Sequence, residues 1–487
     1  MVDPRGVQIL GARITGELDL SFANVLFPLF LKGCRLEQRI DLRSAKMPVL
    51  SLEGSWTGAI AADELKLEGT LFLKSAFHAE GEVRLLGATI GGNLNAMGGT
   101  FKNLKSDKNP DSTGYTLTAD GIKVTGGVFM RNELDADVVK NKFVAEGEVR
   151  LLGATIGGNL DADGGTFRNP NPKGYALNAD RIKVHGGVSL RNIFVPEGGV
   201  RLHGAEVTGQ LQVADAWLGA FDLDSAHVTG PFVWRNIHKD RHPDFPDTEW
   251  KPSLNLTDAT VGPLADQPSS WPEKEELRLD GFVYDRIAAV PDAKVLIDAK
   301  ARLDWLHRQP DELGYLPQPY EQLIAVMRQM GYEDQVAEVG IAKQKDLRKR
   351  GDLGWLGWIR NWFLYLVVGY GYRAWQAFIW LLVLVVVGSC VFSYAHSANV
   401  LVPSDKDAYT EYEKSKMEKL PPYYPDFHAP FYSLDVISPF DLGQKSSWRL
   451  IERWPGDRAY WGYEFYSIIQ LIIGWVLLLV AAAVPAG

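Results

Sequence analysis

The chain has 487 residues, is 46 % hydrophobic and 23 % charged, and carries a formal net charge of −9. That length allows roughly two to four domains, and the acidic balance supplies no basic field for nucleic acid. Only Cys34 and Cys390 are present, the latter inside an apolar run, which excludes a disulfide framework. The opening stretch MVDPRGVQIL lacks a charged-then-apolar secretory pattern, so the N-terminal part is expected in the cytoplasm.

From the N-terminus the dominant signal is repetition. Ala12, Ala23, Cys34 and Ala45 are spaced 11 apart, and Ile14, Val25, Leu36 and Met47 keep the same period. A longer repeat lies over this one: AEGEVRLLGATIGGNL occurs at Ala79–Leu94 and again at Ala145–Leu160, an offset of 66. The offset falls to 60 between Ala119 and Ala179, so the difference is a lengthened loop between Phe101 and Gly114. Short alternating runs separated by glycines and small polar residues predict a parallel β-solenoid, a right-handed β-helix, over residues 6–287. In that arrangement the eleven-spaced residues share one column, and each coil buries its apolar edge only against its neighbours. The stretch Lys239–Trp250 is read as a loop excursion, and LNLTDATVG and LRLDGFVYDRI as closing coils. An antiparallel sandwich gives no account of so strict a period.

The period then changes. Leu323, Val326, Met327 and Met330 fall at helical spacing before Gly331, and Val336 and Val339 continue it. With a helix near Asp298–Arg308, residues 296–350 make a helical hairpin that serves as a connector. Residues 374–394 and 465–484 are uncharged runs long enough to cross a bilayer as transmembrane helices. Six Lys and Arg residues between Lys343 and Arg360 precede the first run, so this side is expected in the cytoplasm and residues 395–464 outside.

Val368-Gly369-Tyr370-Gly371 matches the start of a potassium selectivity filter, but it precedes the first span and Arg373 follows at once. It is read instead as part of an interfacial segment, 361–373, with Trp362, Tyr370, Tyr372 and Arg373 as anchors. The segment in the right place for a pore is FYSLDVISPFDLGQ, residues 431–444, as a re-entrant helix stopped by Pro439. Asp441, Gly443, Gln444 and, in the second span, Gln470 are the candidate pore-lining residues. In an oligomer Asp441 would form a ring of carboxylates favouring cations.

The stretches QPYEQLIAVMRQMGYEDQVAEVGIAKQ, GYGYRAW, FYSLDVISPFDLGQ and YWGYEFYSIIQLIIGWVLLLVAAAV carry a resemblance. Together with the repeat, the chain resembles bacterial proteins in which a pentapeptide-like β-solenoid precedes a two-span membrane module. Some relatives have a recognisable two-span ion-channel module there; others bear the label "membrane-associated oxidoreductase". The resemblance implies a protein of the bacterial inner membrane. The chain departs from the channel pattern in having no T-x-G-[YF]-G after the short helix.

The residues themselves single out no catalytic, cofactor-binding or metal site. The glycines of GATIGGNL are not followed by a helix, so no dinucleotide-binding turn is formed. His238 and His242 have a helical ligand spacing, but Pro243 and Pro246 make their segment a loop. Two functional readings remain: an oligomeric ion-conducting or transport module gated or assembled through the solenoid, and a membrane-tethered scaffold offering the solenoid face to a protein partner. The oxidoreductase reading rests on the label alone. Expected partners are the lipid bilayer and further copies of the chain, with no nucleic acid and no cofactor.

Overall fold

The computed structural model describes residues 5–105, 112–169, 171, 174–288, 298–373, 375–452 and 457–483. It divides into two compact units, Met1–Val339 and Gly340–Gly487.

The first unit is built from parallel strands of mostly two to four residues. Val7–Leu10 pairs with Leu29–Lys32, Arg13–Ile14 with Arg35–Leu36, and Leu18–Asp19 with Ile40–Asp41, while Asn24 bridges Lys46. The chain thus meets four columns of strands in a fixed order, and each circuit lies on the one before. The columns continue to Val283–Ile287, and they are drawn together in a 27-stranded and an 11-stranded sheet.

The eleven-residue period proves to be half a circuit. Arg13 faces Arg35, which sets Ala12 beside Cys34, and Asn24 faces Lys46, which sets Ala23 beside Ala45. The four residues therefore occupy two columns, not the single column expected. The reason is geometric: with four sides to the early circuits, eleven residues carry the chain only two sides onward. Each is nevertheless the small residue that precedes a strand or, for Ala23, the Asn24 bridge, and Cys34 and Ala45 are fully enclosed. Leu36, Ile40, Leu42 and Met47 fill the interior of the same circuit. Burying one such side chain contributes about 1.5–3 kcal/mol before entropy is counted.

The 66-residue repeat also has a packing cause. In the second column Ala79 faces Phe101, Phe101 faces Ala145, and Ala145 faces Phe167. Two residues earlier the order is inverted, Phe77, Gly99, Phe143 and Gly165. Each circuit thus places one ring at one of two alternating positions. The rings Phe77, Phe101, Phe143, Phe167 and Phe194 follow one another at centroid distances of 5.2–5.7 Å. Gly99 and Gly165 are required: a Cβ there would stand 2.9 and 2.8 Å from the ring of Phe101 and of Phe167. The pattern returns only every second circuit, so the sequence repeat spans two circuits. Half of the lengthened loop of this region, 106–111, lies outside the described residues. An antiparallel hairpin, Glu133–Asp135 with Val138–Asn141, branches from the stack.

Three helices follow: α1 (Ala299–Leu306), α2 (Gln318–Gln329) and α3 (Glu333–Arg350). Their sequence suggests a connector, but α1 and α2 close the end of the stack. Gln318 and Gln322 donate to the carbonyls of Phe282 and Tyr284 in the last circuit, at 3.0 and 2.7 Å. Gln309 accepts from the Leu279 N–H. Arg302 is buried and forks onto Asp266 at 2.7 and 2.8 Å, and the Trp271 indole N–H donates to the same carboxylate. Trp271 and Trp305 lie 5.4 and 5.6 Å from the guanidinium. Backbone groups and apolar side chains that a further circuit would have covered are thereby satisfied.

The second unit contains α4 (Trp355–Val368), α5 (Trp375–Ser397), α6 (Lys406–Lys414), α7 (Ala429–Ile437), the short α8 (Gln444–Ser447) and α9 (Arg458–Ala483). α5 and α9 are long and apolar enough to cross a membrane. α9 begins seven residues ahead of the uncharged run because Arg458–Glu464 is helical too, and residue 484 lies outside the described residues, as does residue 374. Both helices expose large apolar side chains, among them Phe378, Leu382 and Leu479. Leu401–Pro403 pairs antiparallel with Trp448–Leu450 beside an aromatic cluster of Phe392, Tyr432 and Trp448.

Candidate functional site

The candidate pore segment is organised around α7. Pro430 in its first turn needs no N–H partner, and Pro439 just beyond Ser438 prevents its continuation. One face of this nine-residue helix is buried, carrying Tyr432, Ser433, Val436 and Ile437. Ile437 meets the notch left by Gly474 of α9, where a Cβ would stand 2.6 Å from its Cγ2.

Gln470, fully buried in α9, donates through Nε2 to the Ser433 carbonyl at 3.1 Å and to Ser433 Oγ at 2.7 Å. Ser433 Oγ in turn donates to the Val385 carbonyl of α5 at 3.0 Å. Gly388 makes this close approach possible, since a Cβ there would collide with both Ser433 Oγ and Gln470 Nε2. Gln470 is thus a link between three helices, a common use of an amide in a long apolar helix.

The turn after α7 is ordered from within. Asp435 is buried at 2 % exposure, and its carboxylate accepts from the N–H groups of Leu442 (2.9 Å) and Lys445 (2.7 Å). Asp441 is exposed, and its Oδ1 accepts from the Gly443 N–H at 2.7 Å and Ser446 Oγ at 3.3 Å. Gly443 has a φ of 93°, which only glycine adopts freely. Gln444 is buried; its Oε1 accepts from the His428 N–H and its Nε2 donates to the Asp426 carbonyl. The structure brings Asp441, Gly443 and Gln444 into one turn and sets Gln470 apart, inside the helix packing. Asp435 and Ser433 were not singled out in the sequence, where a charge in a short apolar helix reads only as a difficulty.

The GYG segment caps α4. Gly369, Tyr370 and Gly371 have φ values of 52°, 60° and 93°, three successive left-handed residues that reverse the chain toward α5. The Gly369 N–H donates to the carbonyls of Leu364 and Tyr365. Trp380 Nε1 of α5 donates to the Leu366 carbonyl at 3.0 Å. The Tyr370 hydroxyl donates to Asn361 Oδ1 at 2.7 Å, and burial raises its pKa, which keeps that proton in place. Arg348 lies 4.3 Å from the Trp362 ring centroid and within hydrogen-bond reach of Tyr370. Tyr372 packs against Gly340, while Arg373 is exposed. The apolar helix begins at Trp355, ahead of the expected segment 361–373.

Elsewhere, His238 stacks on Trp217 at 3.9 Å, and His242 meets the same ring edge-on. Burial holds His242 below its ordinary pKa. No group of three metal-ligating side chains occurs among the described residues. A surface hollow of about 740 Å³ carries Glu80, Glu82 and Glu146. Glu82 there accepts from Thr118 at 2.6 Å, and Glu146 pairs with Lys102 at 3.6 Å.

No protein-family model, curated protein or solved structure matches the chain.

Proposed function

We propose that the chain is an integral protein of the bacterial inner membrane, with its N-terminal stack a right-handed, pentapeptide-like β-solenoid on the cytoplasmic side. Its two spans assemble with those of further copies around an ion path. The observation that carries this reading is α7, a helix too short to cross a bilayer, buried against both α5 and α9 and followed by the exposed Asp441 turn. Spans that served only as an anchor would not need such a wedge. Two spans cannot enclose a water path alone, so conduction requires an oligomer, and a closed ring of copies is the economical form. The orientation draws on charge: residues 341–373 hold seven Lys and Arg against two Asp in a chain of net charge −9.

A membrane-tethered scaffold is the second reading. It is favoured by the Asp441 carboxylate, which is occupied by its own turn. The solenoid face would then meet a protein partner. Purified protein in planar bilayers separates the two. Conduction predicts salt-dependent currents whose cation preference falls in Asp441→Asn. Silent bilayers together with a single-copy particle in detergent would favour the tether.

A further inference from the structure

Several arginines of the strand stack have a carboxylate partner: Arg84 meets Asp63 at 2.6 Å, Arg150 meets Asp120 at 2.7 Å and Arg191 meets Asp163 at 2.9 Å. Two cations near the end of α3 are held differently. Lys345 Nζ lies 5.2 Å from the Tyr365 ring centroid, and the Arg348 guanidinium lies over both Trp362 and Tyr365. Neither pairs with a carboxylate among the described residues. They stand three residues apart on one helix face, and α4 sets a row of rings beneath them. Trp358, Trp362, Tyr365 and Tyr370 follow one another at centroid distances of 5.7–6.1 Å. Asn361, only 6 % exposed, steadies the row: its Oδ1 accepts from the Tyr370 hydroxyl and lies 3.5 Å from Arg348 Nη1. A ring face attracts a cation without neutralising it, so both charges stay available to an anion.

The helix that carries the rings also exposes an apolar surface. Of α4 only Asn361, Val367 and Val368 are buried. Trp355 is 72 % exposed and Leu356 64 %, and Trp358, Ile359, Phe363 and Leu366 are exposed as well. Arg360 is the one charged residue of the helix. Water solvates such a surface poorly. With 14 residues the helix is about 21 Å long, short of the roughly 30 Å of a hydrocarbon core. It runs through the GYG turn toward α5, which is long and apolar enough to cross a membrane. An apolar helix that cannot cross, next to one that can, suits the interface, where its rings lie at headgroup depth.

We propose that α4 lies in the headgroup layer where α5 enters the membrane, and that Lys345 and Arg348 bind the phosphate of an anionic phospholipid there. The acyl chains of that lipid meet the exposed apolar side chains of α4 while its phosphate meets the two cations. Charge favours this occupant over a second copy of the chain: residues 341–373 hold seven Lys and Arg against two Asp, so two such surfaces repel each other. The inference rests on the membrane reading and not on conduction.

Spin labels on the full chain in nanodiscs of phosphatidylcholine and phosphatidylglycerol test the placement. They are introduced at Ile359→Cys and, separately, Leu382→Cys in a Cys390→Ser background, Cys34 being buried. Relative accessibility to oxygen and to a nickel chelate is expected to place the first label at headgroup depth and the second in hydrocarbon. A second label found in water overturns the membrane reading and this proposal with it. With that label in hydrocarbon, a first label in bulk water, or one coupled to its counterpart in another copy, overturns this proposal alone. Native mass spectrometry of the detergent-solubilised chain tests the lipid. The wild type should retain phosphatidylglycerol in preference to phosphatidylcholine, and Lys345→Gln combined with Arg348→Gln should weaken that preference roughly tenfold or more. Equal retention of both lipids by the wild type, an unchanged preference in the variant, or displacement of the lipid by inorganic phosphate at the same concentration overturns the proposal. Should the double variant lose its fold, Lys345→Glu alone serves, because Lys345 is exposed and touches only a ring. It should lower the preference in the same direction, and an unchanged preference there overturns the proposal too.

Discussion

At Asp41 the Arg43 guanidinium forks onto both carboxylate oxygens at 2.6–3.0 Å, and this bond first holds the carboxyl below its usual range. The folded state therefore favours the ionised form. That stability is fully present above the unfolded carboxyl's pKa of about 3.9 and is lost as pH falls through the lower folded value. Asp41→Asn should lower the thermal midpoint at neutral pH, and the gap to the wild type should narrow progressively in acid. A gap independent of pH between neutrality and strong acid would contradict this. At Arg302 the environment is dry. Arg302→Met leaves the Asp266 carboxylate buried without its cation, at a cost of about 3–5 kcal/mol. Adding Asp266→Leu should recover most of that loss in denaturant titrations, because the unpaired charge is removed with its partner.

Among elements, the ring column is the most informative. Phe143→Ala opens a cavity between Phe101 and Phe167 and should cost about 3–5 kcal/mol. Adding Ala145→Phe restores the composition of that strand but not its stability, because the new ring would face Phe101 and Phe167 in register. Equal stabilities of the double variant and the wild type in urea would show that the alternation is unimportant. The same logic sets the role of α1 and α2. Gln318 and Gln322 of α2 take the place of a missing circuit by bonding to the carbonyls of Phe282 and Tyr284, which an unmodified sheet edge would leave to water or to another chain.

For the whole molecule, the division at Val339 predicts behaviour that is not two-state. Calorimetry in detergent should resolve two transitions, and Phe143→Ala should move one of them alone. A single transition displaced as a unit would show that the two units unfold together.

The parallel strands and the two long apolar helices could be read from the chain because period and hydrophobicity are local properties of a sequence. Residues such as Leu36 and Met47 declare their burial by spacing alone. The number of sides per circuit could not be read that way: Ala12 and Ala23 look equivalent along the chain, and only pairing across 22 residues separates their columns. Within the candidate site, the Pro439 stop and the Gly443 turn were legible as local backbone chemistry. The Gln470–Ser433–Val385 link was not, since it joins three helices distant in sequence. Local composition determined which segments become strands and which become long apolar helices. Tertiary contact decided which small residues make room for which rings and which amides replace a missing circuit, because those outcomes depend on side chains that meet only after the chain has folded.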